Sequence, residues 1–369
     1  MLLTIIIFII ILGLLVLAHE FGHFITAKRS GMYVEEFGFG FPPKLFSFKK
    51  GETTYSLNLI PFGGFVKILG EDGSDLENPK SFGSKGFIKR FTVLAAGVVM
   101  NAIFAWILIS IGMGFGLPTA VTEGEQLPDH AKIRNVAVAA VEVLPDSPAA
   151  NAGIKIGDKF VSIDGQKITN IEDVRKLTAD KAGKAIDYEI KRGDTVTNST
   201  ITPRLNPPTG QGPLGVTLAS VGLVSYPWYL APVKGFSATA DLVQGTFFAL
   251  SDALRGLVTH QGPSVDITGP IGIAKLTGDV YALGFIYLLQ FTAVLSINLA
   301  IINALPFPAL DGGRVMFLVI EKAIRRKLPA KAEQWANSIG FLLLITLLLF
   351  VTARDIGRLS VFQRIKEIF

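Results

Sequence analysis

Leu14-Leu-Val-Leu-Ala-His-Glu-Phe-Gly-His23 decides how the rest of the chain is read. It closes an apolar run from Leu2 to Ala18 that only Thr4 and Gly13 interrupt. Residues four apart share a helix face, so His19 and His23 point the same way. Two imidazoles at that spacing can hold one Zn2+, and Glu20 is then placed to take a proton from the attacking water. A soluble metalloprotease would carry this motif beside a water-lined cleft, but here the preceding run is membrane-like. Ionisable residues at the edge of such a run are costly unless paired or liganded, so they read as functional. The plainer alternative is that they mark the membrane boundary. With 4 histidines in 369 residues, His-Glu-x-x-His is a rare chance event.

Composition narrows the class. Half of the residues are hydrophobic and 18% are charged, which is too apolar for an ordinary soluble protein and points to several spans plus a water-soluble part. There is no cysteine, so a metal must be held by His, Asp or Glu. The net charge of +5 comes from Lys/Arg clusters that flank apolar runs, which suits membrane orientation and not nucleic-acid binding. The first run lacks a basic leader and continues into the histidine motif, so it reads as a retained transmembrane helix from about Leu2 to Ala27.

Past Lys28-Arg29 the chain is rich in Gly, Pro and Phe as far as Arg90. Ser56, Leu57, Asn58 and Leu59 alternate polar and apolar, Pro61-Phe-Gly63-Gly64 supplies turn chemistry, and Phe65–Leu69 resumes an extended pattern. This predicts a β-hairpin over Ser56–Leu69. Non-helical backbone at membrane depth must be buried or line a cavity, and a strand edge there can pair with an extended peptide. An ordinary surface hairpin is the alternative.

Phe91–Leu117 reads as a second span, with Asn101 bonding between helices or touching the site; packing is the commoner role. From about Gln126 to Asn206 charges become frequent, and β patterns appear at Val136–Val143 and Ala185–Lys191. A water-soluble domain of roughly 80 residues fits this stretch. Pro227–His260 has a helical look, and Gly269-Pro270 breaks the stretch Ser264–Ala274.

A third span runs from Leu283 to about Ala304 and contains Asn298 and Asn303. It ends in Asn303-Ala-Leu-Pro-Phe-Pro-Ala-Leu-Asp-Gly-Gly313. Helix breakers at membrane depth need a reason, and lining a site is one. Asp311 is the best candidate for a third metal ligand, since two His and one acid leave a fourth zinc position open. A capping aspartate ahead of a helix is the alternative. The last span is about Trp335–Thr352.

Together these motifs resemble the site-2 proteases, intramembrane zinc metalloproteases, in their bacterial RseP-like branch. The resemblance rests on five features in order: His19-Glu-x-x-His23; Gly63-Gly64; a domain carrying Ser147-Pro-Ala149, Ala152-Gly153, Gly157-Asp158 and Ile163-Asp-Gly165; Gly269-Pro270; and Asn303-x-x-Pro306-x-Pro308-x-x-Asp311-Gly312. It implies Zn2+ held by His19, His23 and Asp311, with Glu20 as catalytic base. It further implies that Asn298 and Asn303 bind the substrate backbone or oxyanion. The hairpin, Ser56, Leu57, Asn58, Leu59, Gly63 and Gly64, would clamp an unwound substrate. The inserted domain resembles a single PDZ domain, whose alternatives are a peptide binder or a spacer; the best-known enterobacterial relative has two in tandem.

The expected fold is a multi-span α-helical membrane protein of about four transmembrane helices, with a membrane-associated β-hairpin and an inserted α+β PDZ domain. Expected boundaries are an N-terminal membrane domain at 1–125, the PDZ domain at 126–206, a linker and amphipathic helical segment at 207–282, and a C-terminal membrane domain at 283–369. Ten Lys/Arg between Lys28 and Arg90 and six between Arg314 and Lys331 put both stretches in the cytoplasm. The PDZ domain then lies outside a bacterial inner membrane. Arg354, Arg358, Arg364 and Lys366 run against that count at the C-terminus. The expected partners are single-span membrane protein substrates, such as anti-sigma factors or remnant signal peptides, and a peptide ligand of the PDZ domain. No nucleic-acid partner is expected, and no oligomeric state is read. A silent scaffold would not keep Glu20, and a transporter has no use for His-Glu-x-x-His.

Overall fold

The computed structural model of the protein describes residues 2–121, 129–259 and 268–358. In chain order these form α1 (Leu2–Arg29), β1 (Val34–Lys50), β2 (Thr53–Ile68), α2 (Phe87–Phe115), β3 (Leu117–Ala120), β4 (Lys132–Val143), α3 (Pro148–Asn151), β5 (Lys159–Ile163), β6 (Gln166–Lys167) and α4 (Ile171–Ala179). Then come β7 (Ile186–Arg192), β8 (Thr195–Ile201), β9 (Val216–Ser225), α5 (Ala231–Val258), α6 (Pro270–Leu283), α7 (Phe285–Ala304), α8 (Asp311–Ile324) and α9 (Ala330–Arg358). Among the described residues, four stretches are long and apolar enough to cross a membrane: Leu2–Arg29, Phe87–Phe115, Phe285–Ala304 and Lys331–Gly357. The 28 residues of α1 rise about 42 Å, more than the roughly 30 Å of hydrocarbon in a bilayer. The equally long α5 is not among the four.

The chain packs as two units. One comprises Met1–Ile107, Ala238–Leu276 and Thr292–Phe369. In it, Phe24 of α1 packs against Phe37 of β1 and Tyr55 of β2, with ring centroids 5.0 and 6.0 Å away. Phe24, Ala27, Val34, Ile68, Val93 and Leu318 share one core. This core seats the β1–β2 sheet against α1 directly beside His23.

That sheet differs from the expected hairpin. Its tight turn lies at Gly51-Glu52, and the arms Thr53–Ile60 and Gly64–Ile68 do not pair with each other. Both flank the first part of β1: Phe39 faces Gly64 on one side and Leu57 on the other. Glu36 to Phe39 and Thr54 to Leu57 advance in step, whereas Phe46–Lys50 oppose Thr53–Leu57 in the antiparallel sense. The extended chain is therefore folded twice across itself. The sequence pattern hides Val34–Phe39 because the adjacent Glu35 and Glu36 break the polar–apolar alternation that marks a strand, and Gly38 is a poor strand former.

The other unit comprises Leu108–Ser237 and Thr277–Phe291. Its sheet has the order β3-β9-β4-β5-β7-β8, with β6 paired to β5. Tyr188, Ile163, Ile186, Ile190 and Val138 fill its core at 2% exposure or less. Asn170 and Asp173 form a reciprocal capping box that starts α4. Asp158, fully buried, pairs with Arg192 through two bonds of 2.6 Å. The sheet continues beyond residue 206: β9 lies between β3 and β4, so the stretch expected to be a linker supplies an inner strand. Gly215 precedes Val216–Ser225 and Gly222 interrupts it, which conceals the strand in the sequence. Gln126, His260, Ser264–Ile267, Arg364 and Lys366, named above, lie outside the described residues. Pro270, expected to break the chain, is the first residue of α6, a position where its missing N–H costs nothing.

Candidate metal centre

α1 presents His19 and His23 one turn apart, with ring centroids 4.9 Å from each other. Asp311 reaches them from 288 residues beyond His23. Its Oδ2 lies 3.0 Å from His19 Nε2 and 3.1 Å from His23 Nε2, and the two Nε2 atoms are 3.3 Å apart. Among the described residues these three form the group whose ligand atoms converge, all within 4.8 Å. Zinc bonds of about 2.0–2.2 Å place the donors of a tetrahedron roughly 3.3–3.6 Å from one another. The observed separations lie at or just inside that range, so two neutral nitrogens and one anionic oxygen fit zinc with a fourth position free. A carboxyl ligand must be ionised, and Asp311 Oδ2 faces the two imidazoles with which it would share a cation.

The break after α7 delivers Asp311. Residues 305–310 leave the helix, and Asp311 is the first residue of α8. Leu310, at the cap position, makes no side-chain cap bond, and the Asp311 carboxylate is turned to the histidines, so the capping alternative is set aside. A Cβ on Gly312 would lie 2.2 Å from the Leu305 carbonyl oxygen. Only glycine lets the first turn of α8 fold back this closely on the loop.

α2 forms the opposite wall. His23 Nδ1–H donates to the Val93 carbonyl at 2.8 Å, which leaves Nε2 as its ligand atom. A Cβ on Gly97 would lie 2.3 Å from His23 Nε2 and 2.7 Å from His19 Nε2. Asn101 Nδ2 stands 3.3 Å from His19 Nδ1, and the Asn101 backbone carbonyl accepts from Ser296 Oγ at 2.8 Å.

Glu20 is half-buried and lines a cavity of about 210 Å³ together with His19, His23, Asp311, Gly64, Phe65, Val66 and Ile68. A Cβ on Gly64 would come within 3.0 Å of Glu20 Cγ. Glu71 and Arg314 complete the wall as an ion pair. Of the other residues read from sequence, Asn298 and Asn303 are half-buried on α7 and do not line this cavity. Ser56, Leu57, Asn58 and Leu59 belong to the arm separated from it by Val34–Phe39, and Asn58 donates to the Gly40 carbonyl. Gly63 lies against Phe41, whose ring a Cβ would meet at 2.5 Å. Gly97, Glu71 and Arg314 do not stand out in the sequence. Gly97-x-x-x-Asn101 carries a usable signal, since that spacing puts a gap and an amide on one helix face.

The family model described as Peptidase family M50 matches residues 7–347. A protein named as a putative zinc metalloprotease in Clostridium perfringens is 40% identical over 93% of this chain and 95% of its own length. The regulator of sigma-W protease RasP of Bacillus subtilis is 31% identical, covering 96% of this chain and 99% of its own. The PDZ domain of an SdrC-like protein from Listeria monocytogenes is 25% identical over 24% of this chain and 92% of that domain, with a TM-score of 0.21.

Proposed function

The chain belongs to peptidase family M50, a zinc metallopeptidase with membrane-spanning helices, and we propose that it hydrolyses peptide bonds within or near the transmembrane segments of single-span proteins. One observation carries this reading: Asp311 converges on the histidine pair of a membrane-length helix. His19, His23 and Asp311 hold Zn2+, which when bound supplies Lewis acidity toward the scissile carbonyl and the attacking water. Glu20 takes a proton from that water and returns it to the leaving amine. A substrate helix satisfies its own amides, so it must unwind locally before cleavage. Gly64–Ile68 borders the catalytic cavity and offers a strand edge to the freed backbone, which positions the bond. Asn298 and Asn303, on the helix before the break, would reach substrate only as it enters.

We further assign residues 117–225 to a PDZ-type peptide-binding domain outside the cytoplasmic membrane. The Lys/Arg bias of residues 28–90 and 314–331 supports that orientation. RasP is named as a regulator of sigma-W, and anti-sigma factors are the substrate class this suggests here. The test is Glu20→Gln in purified full-length protein. Zinc content stays at wild type, and cleavage of a single-span substrate falls by at least roughly 10²–10⁴-fold, the range a general base contributes. Wild-type turnover by that variant sinks the assignment.

A further inference from the structure

Asn101 is the most deeply buried polar side chain beside the metal ligands, at 0% exposure. It lies on α2, two helical turns after Val93 and one after Gly97, so all three share the face turned to the histidines. Val93 and Asn101 each approach one imidazole at Nδ1, the nitrogen that does not face Asp311. For His23 the partner is an acceptor, the Val93 carbonyl. For His19 the partner is an amide, which has one end that donates and one that accepts.

The metal-binding role proposed for His19 decides between those ends. A neutral imidazole that offers Nε2 to a cation carries its proton on Nδ1, so Nδ1 needs an acceptor. The amide has one: Asn101 Oδ1 is buried and has no hydrogen-bond partner among the described residues. The two ends of an amide have the same shape, and a half-turn about its last bond brings Oδ1 to where Nδ2 stands, 3.3 Å from His19 Nδ1. A buried acceptor without a donor is costly, roughly 1–3 kcal/mol, so it is expected to take this proton.

We infer that Asn101 is a positioning residue for the metal centre: its side-chain oxygen accepts the His19 Nδ1–H and fixes both the tautomer and the plane of that ring. α2 then holds both histidines from behind, His23 by a main-chain carbonyl and His19 by Asn101. Ser296 Oγ, bonded to the Asn101 backbone carbonyl, fixes the depth of that residue against α7. The main-chain bond survives any substitution at 93 other than one that moves the helix, whereas the His19 contact depends on the side chain at 101.

This inference rests on zinc ligation by His19 Nε2, and the experiment separates the two. Zinc affinity is measured by chelator competition on the full chain in detergent, for wild type, Asn101→Leu and Asn101→Asp. The thermal stability of the zinc-free form is followed in parallel. Loss of an outer-shell partner costs about 10–100-fold in metal affinity, and that drop is expected for Asn101→Leu. Asn101→Asp keeps an acceptor and should stay within a few-fold of wild type, while the zinc-free forms melt together. A packing role predicts the reverse, with zinc affinity unmoved in Asn101→Leu or lost equally in Asn101→Asp. Should Asn101→Leu fail to fold, 15N spectra of the histidines in zinc-loaded wild type decide. A protonated, hydrogen-bonded Nδ1 on His19 supports the inference, and an unprotonated one overturns it. Wild-type protein that binds no zinc sinks the ligand assignment itself and is read apart from these outcomes.

Discussion

The two segments that meet at the candidate metal centre are built in opposite ways. α1 is an unbroken 28-residue helix that delivers two histidines and a glutamate by helical spacing alone. The 304–311 segment delivers one carboxylate by abandoning the helix, with Pro306 and Pro308 in the gap and two glycines packed on the loop behind. A regular helix places neighbours four residues apart with no further help. A single ligand from a remote part of the chain needs a backbone shaped around it.

The contrast predicts a ranking of effects. The largest belongs to His23→Ala, which removes a proposed ligand and its hydrogen bond to the Val93 carbonyl together. Purified protein should contain no zinc by elemental analysis, and zinc at wild-type occupancy breaks the assignment. Asp311→Ala should also empty the centre in dilute chelator, but the histidine pair remains, so partial reloading at high zinc is expected there and not in His23→Ala. Equal behaviour of the two would erase the distinction between the halves.

Gly97→Ala and Gly312→Ala sharpen it further. The first adds a methyl 2.3 Å from a ligand nitrogen, and the second adds one 2.2 Å from a loop carbonyl behind the ligand. Both should lower zinc affinity by at least the roughly 10–100-fold of an outer-shell change, with Gly97→Ala the more severe. A glycine that merely eases helix packing would change melting temperature and leave affinity alone. The smallest effects on metal are expected from Asn298→Ala and Asn303→Ala. Zinc affinity should be unchanged, and any loss should appear as slower cleavage of membrane substrate. A fall in zinc affinity would place them behind the ligands instead.

How much is legible in the sequence follows the same division. The placement of His19 and His23 side by side is readable because helix residues four apart share one face. Four membrane-length helices are readable from apolar length. Asp311 is readable only through the oddity of prolines and glycines inside an apolar run. The acceptor for His23 is not readable, because the Val93 carbonyl is main chain and every residue has one. The path of the β1–β2 sheet is not readable either. Its middle segment, Val34–Phe39, is defined by partners on both sides that lie 15 or more residues further along the chain. The inner strand Val216–Ser225 closes a sheet begun about a hundred residues earlier, a pairing that local pattern does not encode.

The ion pair between Glu71 and Arg314 has a thermodynamic consequence. Glu71 follows closely on the strand that borders the cavity, and Arg314 lies three residues after Asp311 on α8. The strand proposed to take substrate and the helix carrying the proposed third ligand are thereby tied at one point. Binding events at the two are then linked, and linkage is reciprocal. Whatever factor zinc adds to the affinity for an extended peptide, the peptide adds to the affinity for zinc. Metal should leave the loaded protein more slowly when a peptide occupies the strand edge, and Glu71→Gln should shrink that difference in both directions alike.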